Sequence, residues 1–238
     1  MGELFREKTL WAASAVCCLV IAAGILFSNI KLPLAAGSFV NLYEASLRSQ
    51  AVLFLIPIAS VLSQGAVYAK ENSNGFIKFY IMRISRMDYI KRKTALIYAG
   101  GFSPFFFAGI FAFLLAFFCL YPLEVKGDMD WEGLKKAALC LLRICLAGGL
   151  LSEISGVFSV LFRNYYMAYG LPFVSYYFLI ILKERYLPGM YAMDPAEWIA
   201  AESNWGTNGW GIWAFFFLFS AVAACLHGLL LYGRLKEI

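Results

Sequence analysis

The sequence predicts an all-α, polytopic membrane protein with six transmembrane helices and one amphipathic helix in a cytoplasmic loop. Three observations carry this expectation. Hydrophobic residues make up 62% of the 238 positions and charged residues only 15%, with a mean hydropathy of +0.72, whereas soluble domains carry roughly 25% charged residues. A helix needs about 20 apolar residues to cross the hydrocarbon core; the chain holds five charge-free windows of that order and a sixth interrupted only by Arg143 and Glu153. These windows are continuous apolar runs, whereas the strands of a membrane barrel alternate and span only about ten residues. Six spans leave no room for a soluble catalytic domain, so residues 1–238 read as a single transmembrane domain.

The elements follow in order. Span one covers residues 9–30. Arg6, Lys8 and the small residues Ala22-Ala23-Gly24 also fit a cleaved signal peptide, but the apolar run is longer than a signal core and no polar segment follows it, so it is read as a retained span. In the loop 31–48, Phe39, Leu42, Tyr43 and Leu47 recur at helical spacing and predict a short interfacial helix. Span two covers 49–69, and the basic loop 70–93 leads to span three at 94–121. Span four covers 137–162 and span five 164–182. The loop 183–208 carries Tyr186, Tyr191, Trp198 and Trp205, side chains that favour the headgroup layer. Within it, Asp194 as N-cap and Pro195 at the first helical position predict a helix start. Span six is placed at 210–233, the later part of an apolar window that opens near 203, with the earlier part expected to dip into the outer leaflet. The six cysteines lie in or at the ends of spans without zinc-type spacing or a disulfide framework. They read as packing residues, and no metal or cofactor is expected.

Orientation follows from the cations. Residues 70–93 hold seven Lys/Arg against two acids, and a short loop this basic stays in the cytoplasm. With that loop inside, both termini are cytoplasmic, and the inside segments hold twelve cations against seven outside. The expected location is the cell membrane, multi-pass.

The basic loop has internal order. Asn74-Gly75 suits a turn. Ile77, Tyr80, Ile81 and Ile84 then fall on one side of a helix, with Lys78, Ser85 and Arg86 facing elsewhere. A purely topogenic loop that binds anionic lipid is the plain alternative, but turn, amphipathic helix and second cationic cluster together exceed what retention needs.

On these residues the chain resembles a known family. The segment Glu71-x3-Gly75-Phe76-Ile77-Lys78-Phe79-x3-Arg83-x-Ser85-Arg86-x2-Tyr89-x3-Lys93 is similar to the cytoplasmic loop of the permeases of the second class of ATP-binding-cassette exporters. The small permeases of Gram-positive bacteria that act in peptide export or self-protection are the nearest in layout. Six spans, the short basic turn Leu161-Phe162-Arg163-Asn164, and Pro195 and Trp198 before span six match as well. The resemblance implies a coupling helix that sits in a cleft of a separate ATPase subunit, with Glu71, Gly75, Arg83, Arg86, Tyr89 and Lys93 as coupling residues. It further implies a second permease subunit, identical or similar; the strongly apolar, aromatic spans suit an amphipathic peptide or lipid-like substrate better than a sugar. The chain departs from the family in the short stretch before span one, which reduces the expected second ATPase contact. It carries no Gly-x4-Gly-Lys-Ser/Thr phosphate loop, so ATP hydrolysis is expected in the partner. No nucleic-acid partner is expected.

The intramembrane polar residues offer further candidates. Glu153 lies near mid-membrane, where a charge costs several kcal/mol; it reads either as a substrate-path residue or as a hydrogen-bonded packing residue. Arg143, ten positions earlier and roughly 15 Å along the same helix, is expected to snorkel outward. His227, deep in span six, reads as a packing histidine. Two other functions compete with transport. One is a non-enzymatic membrane scaffold or sensor. The other is an intramembrane serine protease using Ser155 and His227, which resembles the rhomboid pair but has Glu153 where that family places a glycine.

Overall fold

A computed structural model describes residues 7–28, 34–35, 37–125, 130–206 and 209–236. Arg6, Lys31 and Lys126, which are among the counted cations, lie outside them. The described residues form α1 (Lys8–Phe27), α2 (Ser38–Leu47), α3 (Gln50–Leu62), α4 (Val67–Ser73), α5 (Phe76–Ile81), α6 (Arg86–Leu120), α7 (Trp131–Phe162), α8 (Tyr165–Arg185), α9 (Pro195–Ala200) and α10 (Trp210–Lys236). Six segments are long and apolar enough to cross a membrane: α1, the α3–α4 pair, α6, α7, α8 and α10. The fold is all-α and polytopic.

Successive spans run in opposite directions. The starts of α1, α6 and α8 therefore share one face with the ends of α4, α7 and α10. This is the loop face, which carries α5; α2 and α9 lie on the opposite face. The centre is α7, which packs against α2, α3, α4, α6, α8, α9 and α10. It crosses α6 tightly where Gly101 faces Gly148: a Cβ on either would stand 2.3 or 2.6 Å from the other's carbonyl oxygen. Small residues at such a crossing let helix backbones approach where no hydrophobic force separates helix from lipid.

Three of the spans contain an internal proline, and each break is repaired by a neighbour. Proline lacks the N–H that would bond the carbonyl four residues earlier. Pro57 thus frees the carbonyl of Leu53, Pro104 that of Gly100, and Pro172 that of Ala168. The Tyr176 hydroxyl donates to Leu53 O at 3.2 Å, Ser63 to Gly100 O at 2.7 Å, and Ser155 to Ala168 O at 2.6 Å. Away from water an unpaired carbonyl is costly, so such repair is what makes proline tolerable in a span. Two more fully buried α7 serines extend the pattern. Ser152 donates to Ile97 O at 2.8 Å, and Ser159 accepts from the Ala69 N–H at 3.0 Å.

The element boundaries depart from the sequence expectation in four places. Span two is not one helix: it breaks after Leu62, and α4 resumes at Val67. The turn between them packs Gly65 against Ser155, leaving no room for a side chain. Span three begins at Arg86, not 94, because Ser85 caps the helix by accepting from the Asp88 N–H at 3.1 Å. At 35 residues α6 is about 52 Å long, so its basic first turns extend past a hydrocarbon core of about 30 Å. Span four begins at Trp131, where Asp130 accepts from the Gly133 N–H at 2.9 Å. The predicted interfacial helix is α2, but it is packed inward, with Phe39, Val40, Tyr43 and Leu47 buried. Glu124 fixes its start by accepting from the N–H groups of Gly37 (3.2 Å) and Phe39 (2.6 Å).

Candidate functional site

The loop face gathers three of the six expected coupling residues. Glu71 leaves the end of α4, while Tyr89 and Lys93 stand one turn apart on the first turns of α6. The Tyr89 hydroxyl donates to Glu71 Oε2 at 2.7 Å, and the Lys93 ammonium pairs with Glu71 Oε1. Lys93 also lies over the rings of Tyr80 (5.6 Å) and Tyr89 (5.7 Å), a favourable cation–π geometry. The Glu71 and Lys93 side chains are only 16% and 10% exposed, so this is a shielded tie between the ends of spans two and three. Glu7, at the start of α1, adjoins the same region. Burial pushes its carboxyl above the usual value, against the opposing pull of Lys70, Thr9, Gln64 and Lys93.

Gly75 makes the turn between α4 and α5 with φ +70°, a left-handed conformation that glycine adopts without steric cost. Beyond the turn, α5 buries Ile77 among Tyr68, Tyr89, Ile90, Val160, Leu231 and Leu235. Tyr80, Ile81 and Ile84 are half-buried, so these four residues face inward as their spacing predicts. The helix itself ends at Ile81, and Ile84 lies in the turn that leads to the Ser85 cap. The outward side is not simply polar. Phe76, Phe79 and Met82 are exposed at 55%, 62% and 74%, next to exposed Arg83. Phe76, Phe79, Tyr80 and Arg83 line a surface hollow of about 390 Å³. Arg86 is also exposed, but stands on the first turn of α6.

The second candidate, Glu153, is apart from this cluster. It lies nine residues before the loop-face end of α7, and His227 lies nine residues before the loop-face end of α10. Both are therefore about 14 Å inside their helix ends. His227, read as a packing histidine, has a partner: its Nδ1 is 3.0 Å from Glu153 Oε2, and both side chains are wholly buried. Gly156, one turn from Glu153, makes the room; a Cβ there would stand 3.0 Å from the imidazole Cε1. Glu153 Oε1 and His227 Nε2 have no hydrogen-bond partner among the described residues.

Arg143 reaches toward the face that carries α9, but it ends on protein carbonyls and not at an open interface. Its guanidinium donates to the carbonyls of Ile199 (2.7 Å) and Ala200 (3.1 Å). These belong to the last turn of α9, where carbonyls lack partners within the helix. The start of α9 is as expected, with Asp194 accepting from the Ala196 N–H at 3.0 Å. Ser155 spends its hydroxyl on Ala168 O, so it forms no nucleophile–base pair with His227. All six cysteines are free.

Sequence reasoning missed the Glu153–His227 contact and the caps at Ser85 and Asp130. The caps had a readable signal, Ser85-x2-Asp88 and an acid just before a long apolar run. The pair had only a weak one: a single histidine in the chain, at a depth matching the one mid-span acid.

No protein-family model matches this chain, and no curated protein matches it.

Proposed function

We propose that the chain is the membrane-spanning subunit of an ATP-driven exporter for an amphipathic peptide or lipid-like substrate. Two permease subunits, identical or similar, work with two separate ATPase subunits, and both termini and the loop face lie in the cytoplasm. The observation that carries this reading is the construction of α5. Its inner side is anchored by Ile77, its outer side offers Phe76 and Phe79, and Met82 and Arg83 follow, exposed, in the turn just beyond it. Exposed aromatics beside the Arg83 cation fit a protein-docking surface. The tie of Glu71 to Tyr89 and Lys93 supports a lever role, because a push on α5 reaches spans two and three together.

In this mechanism the ATPase cleft grips the outer side of α5. Closure of the ATPase pair on ATP moves α5, and the tie passes the motion to α4 and α6. The Gly101–Gly148 crossing then carries it to α7, at the centre of the bundle. The chain's own residues do no bond chemistry; they convert a displacement at the loop face into a change of packing between spans.

The paired substitution Arg83→Glu and Arg86→Glu tests this reading. Both side chains are exposed, so membrane insertion and folding should persist while transport-linked ATPase activity falls. Wild-type ATPase activity in that double variant would remove the coupling role.

A further inference from the structure

We infer that the cleft between α6 and α10 is a binding site for a zwitterionic aminophospholipid, its ammonium at Glu153 and its phosphate at Lys91. The cleft is about 580 Å³, with Ile90, Lys91, Thr94 and Tyr98 along α6, Ser220 and Ala224 along α10, and Glu153 at its floor. Its walls are mainly apolar, yet it contains acceptors with nothing to accept from. Glu153 turns Oε2 to His227; its Oε1 and the Thr94 hydroxyl are buried without a partner among the described residues. A wholly buried carboxylate oxygen at membrane depth is costly when unpaired. The donor that offsets this best is a cationic N–H, since charge-assisted bonds are about twice as strong as neutral ones.

The rest of the cleft selects the rest of the ligand. Lys91 stands at the loop-face end of α6, one to two turns and roughly 5–10 Å along that helix from Thr94 and Tyr98, so the cleft holds a cation as well as acceptors. An anion and an ammonium carried by one headgroup match that order. The volume suits a headgroup and the start of its chains, being within the usual range for a small-molecule pocket of about 300–1,000 Å³, and is too small for a folded peptide. When Glu153 is ionised, its carboxylate and an ammonium beside it sum to zero. This inference deepens the export reading by naming a cargo chemistry; it rests on that reading only for movement of the lipid, not for its binding.

The test uses the full chain, purified in detergent without an ATPase. Phosphatidylethanolamine, phosphatidylcholine and phosphatidylglycerol with the same acyl chains are titrated and retention is read by native mass spectrometry. Ethanolamine lipid should bind about tenfold or more tightly than the other two, since choline has no N–H and glycerol no charge to give Glu153. Glu153→Gln, which keeps a contact to His227, should abolish the preference, and Lys91→Gln should weaken the ethanolamine lipid severalfold. Equal affinity for the three headgroups in the wild-type chain would overturn the site without recourse to any variant, as would an unchanged preference in Glu153→Gln. Because no ATPase is present, these outcomes are independent of the Arg83 and Arg86 coupling test.

Discussion

The proline repairs make a sharp thermodynamic prediction at Ser155. Ser155→Ala removes the hydroxyl 2.6 Å from Ala168 O and leaves that carbonyl unpaired, because Pro172 has no N–H to offer it. A stranded buried polar group costs about 1–3 kcal/mol, and measured hydrogen bonds between membrane helices average about 0.6 kcal/mol and reach about 1.7 kcal/mol. A loss of about 1–2 kcal/mol is therefore expected. At roughly 2–4 °C per kcal/mol for a chain of this size, the melting temperature in detergent should fall by about 2–8 °C. The control is Pro172→Ala, which restores the N–H at residue 172 and lets α8 satisfy Ala168 itself. In that background Ser155→Ala should cost well under half as much, so the two changes should couple in a double-mutant cycle. An equal loss in both backgrounds would refute the repair and reduce Ser155 to a space-filling residue.

Three further outcomes follow from the same geometry. Glu153→Leu strands His227 Nδ1 and should lower the melting temperature by several degrees, whereas Glu153→Gln should hold the fold; a similar loss in both would show that charge rather than hydrogen bonding holds the pair. Lys93→Met leaves the shielded Glu71 carboxylate with Tyr89 alone and should cost about 1–3 kcal/mol; addition of Glu71→Gln should recover part of it, read in the same melting assay. Gly75→Val forces a branched residue into φ +70°, a strain of order 1–3 kcal/mol. It should lower ATPase coupling while leaving span packing intact, since an added Cβ meets no atom within 4 Å there; unchanged coupling would detach the turn from the mechanism.

The spans were legible in the sequence because hydropathy in a continuous run depends on little else. The inward set Ile77, Tyr80, Ile81 and Ile84 was legible for a similar reason: helical spacing alone puts these residues on one side. The break in span two was not legible. It depends on Gly65 and Ser63 meeting α7 and α6, contacts between residues far apart in the chain. The same holds for Arg143. Hydropathy places it near a span end and suggests snorkelling, but the carbonyls it meets belong to α9, 56 and 57 residues away. Glu71, Tyr89 and Lys93 came from resemblance as separate positions; only the fold makes them one ion-paired tie. His227 and Glu153 are 74 residues apart, and no periodicity joins them.

The central claim, that the outer side of α5 docks an ATPase, is tested most directly by cross-linking from Phe79. A photoreactive side chain at this exposed position, in the full chain in its own membrane, should capture one dominant protein carrying a Gly-x4-Gly-Lys-Ser/Thr phosphate loop, and the cross-link should disappear in the Arg83→Glu/Arg86→Glu background. Labelling of lipid alone, with no ATPase captured from Phe79, would contradict the account and leave α5 as a helix resting on the membrane surface.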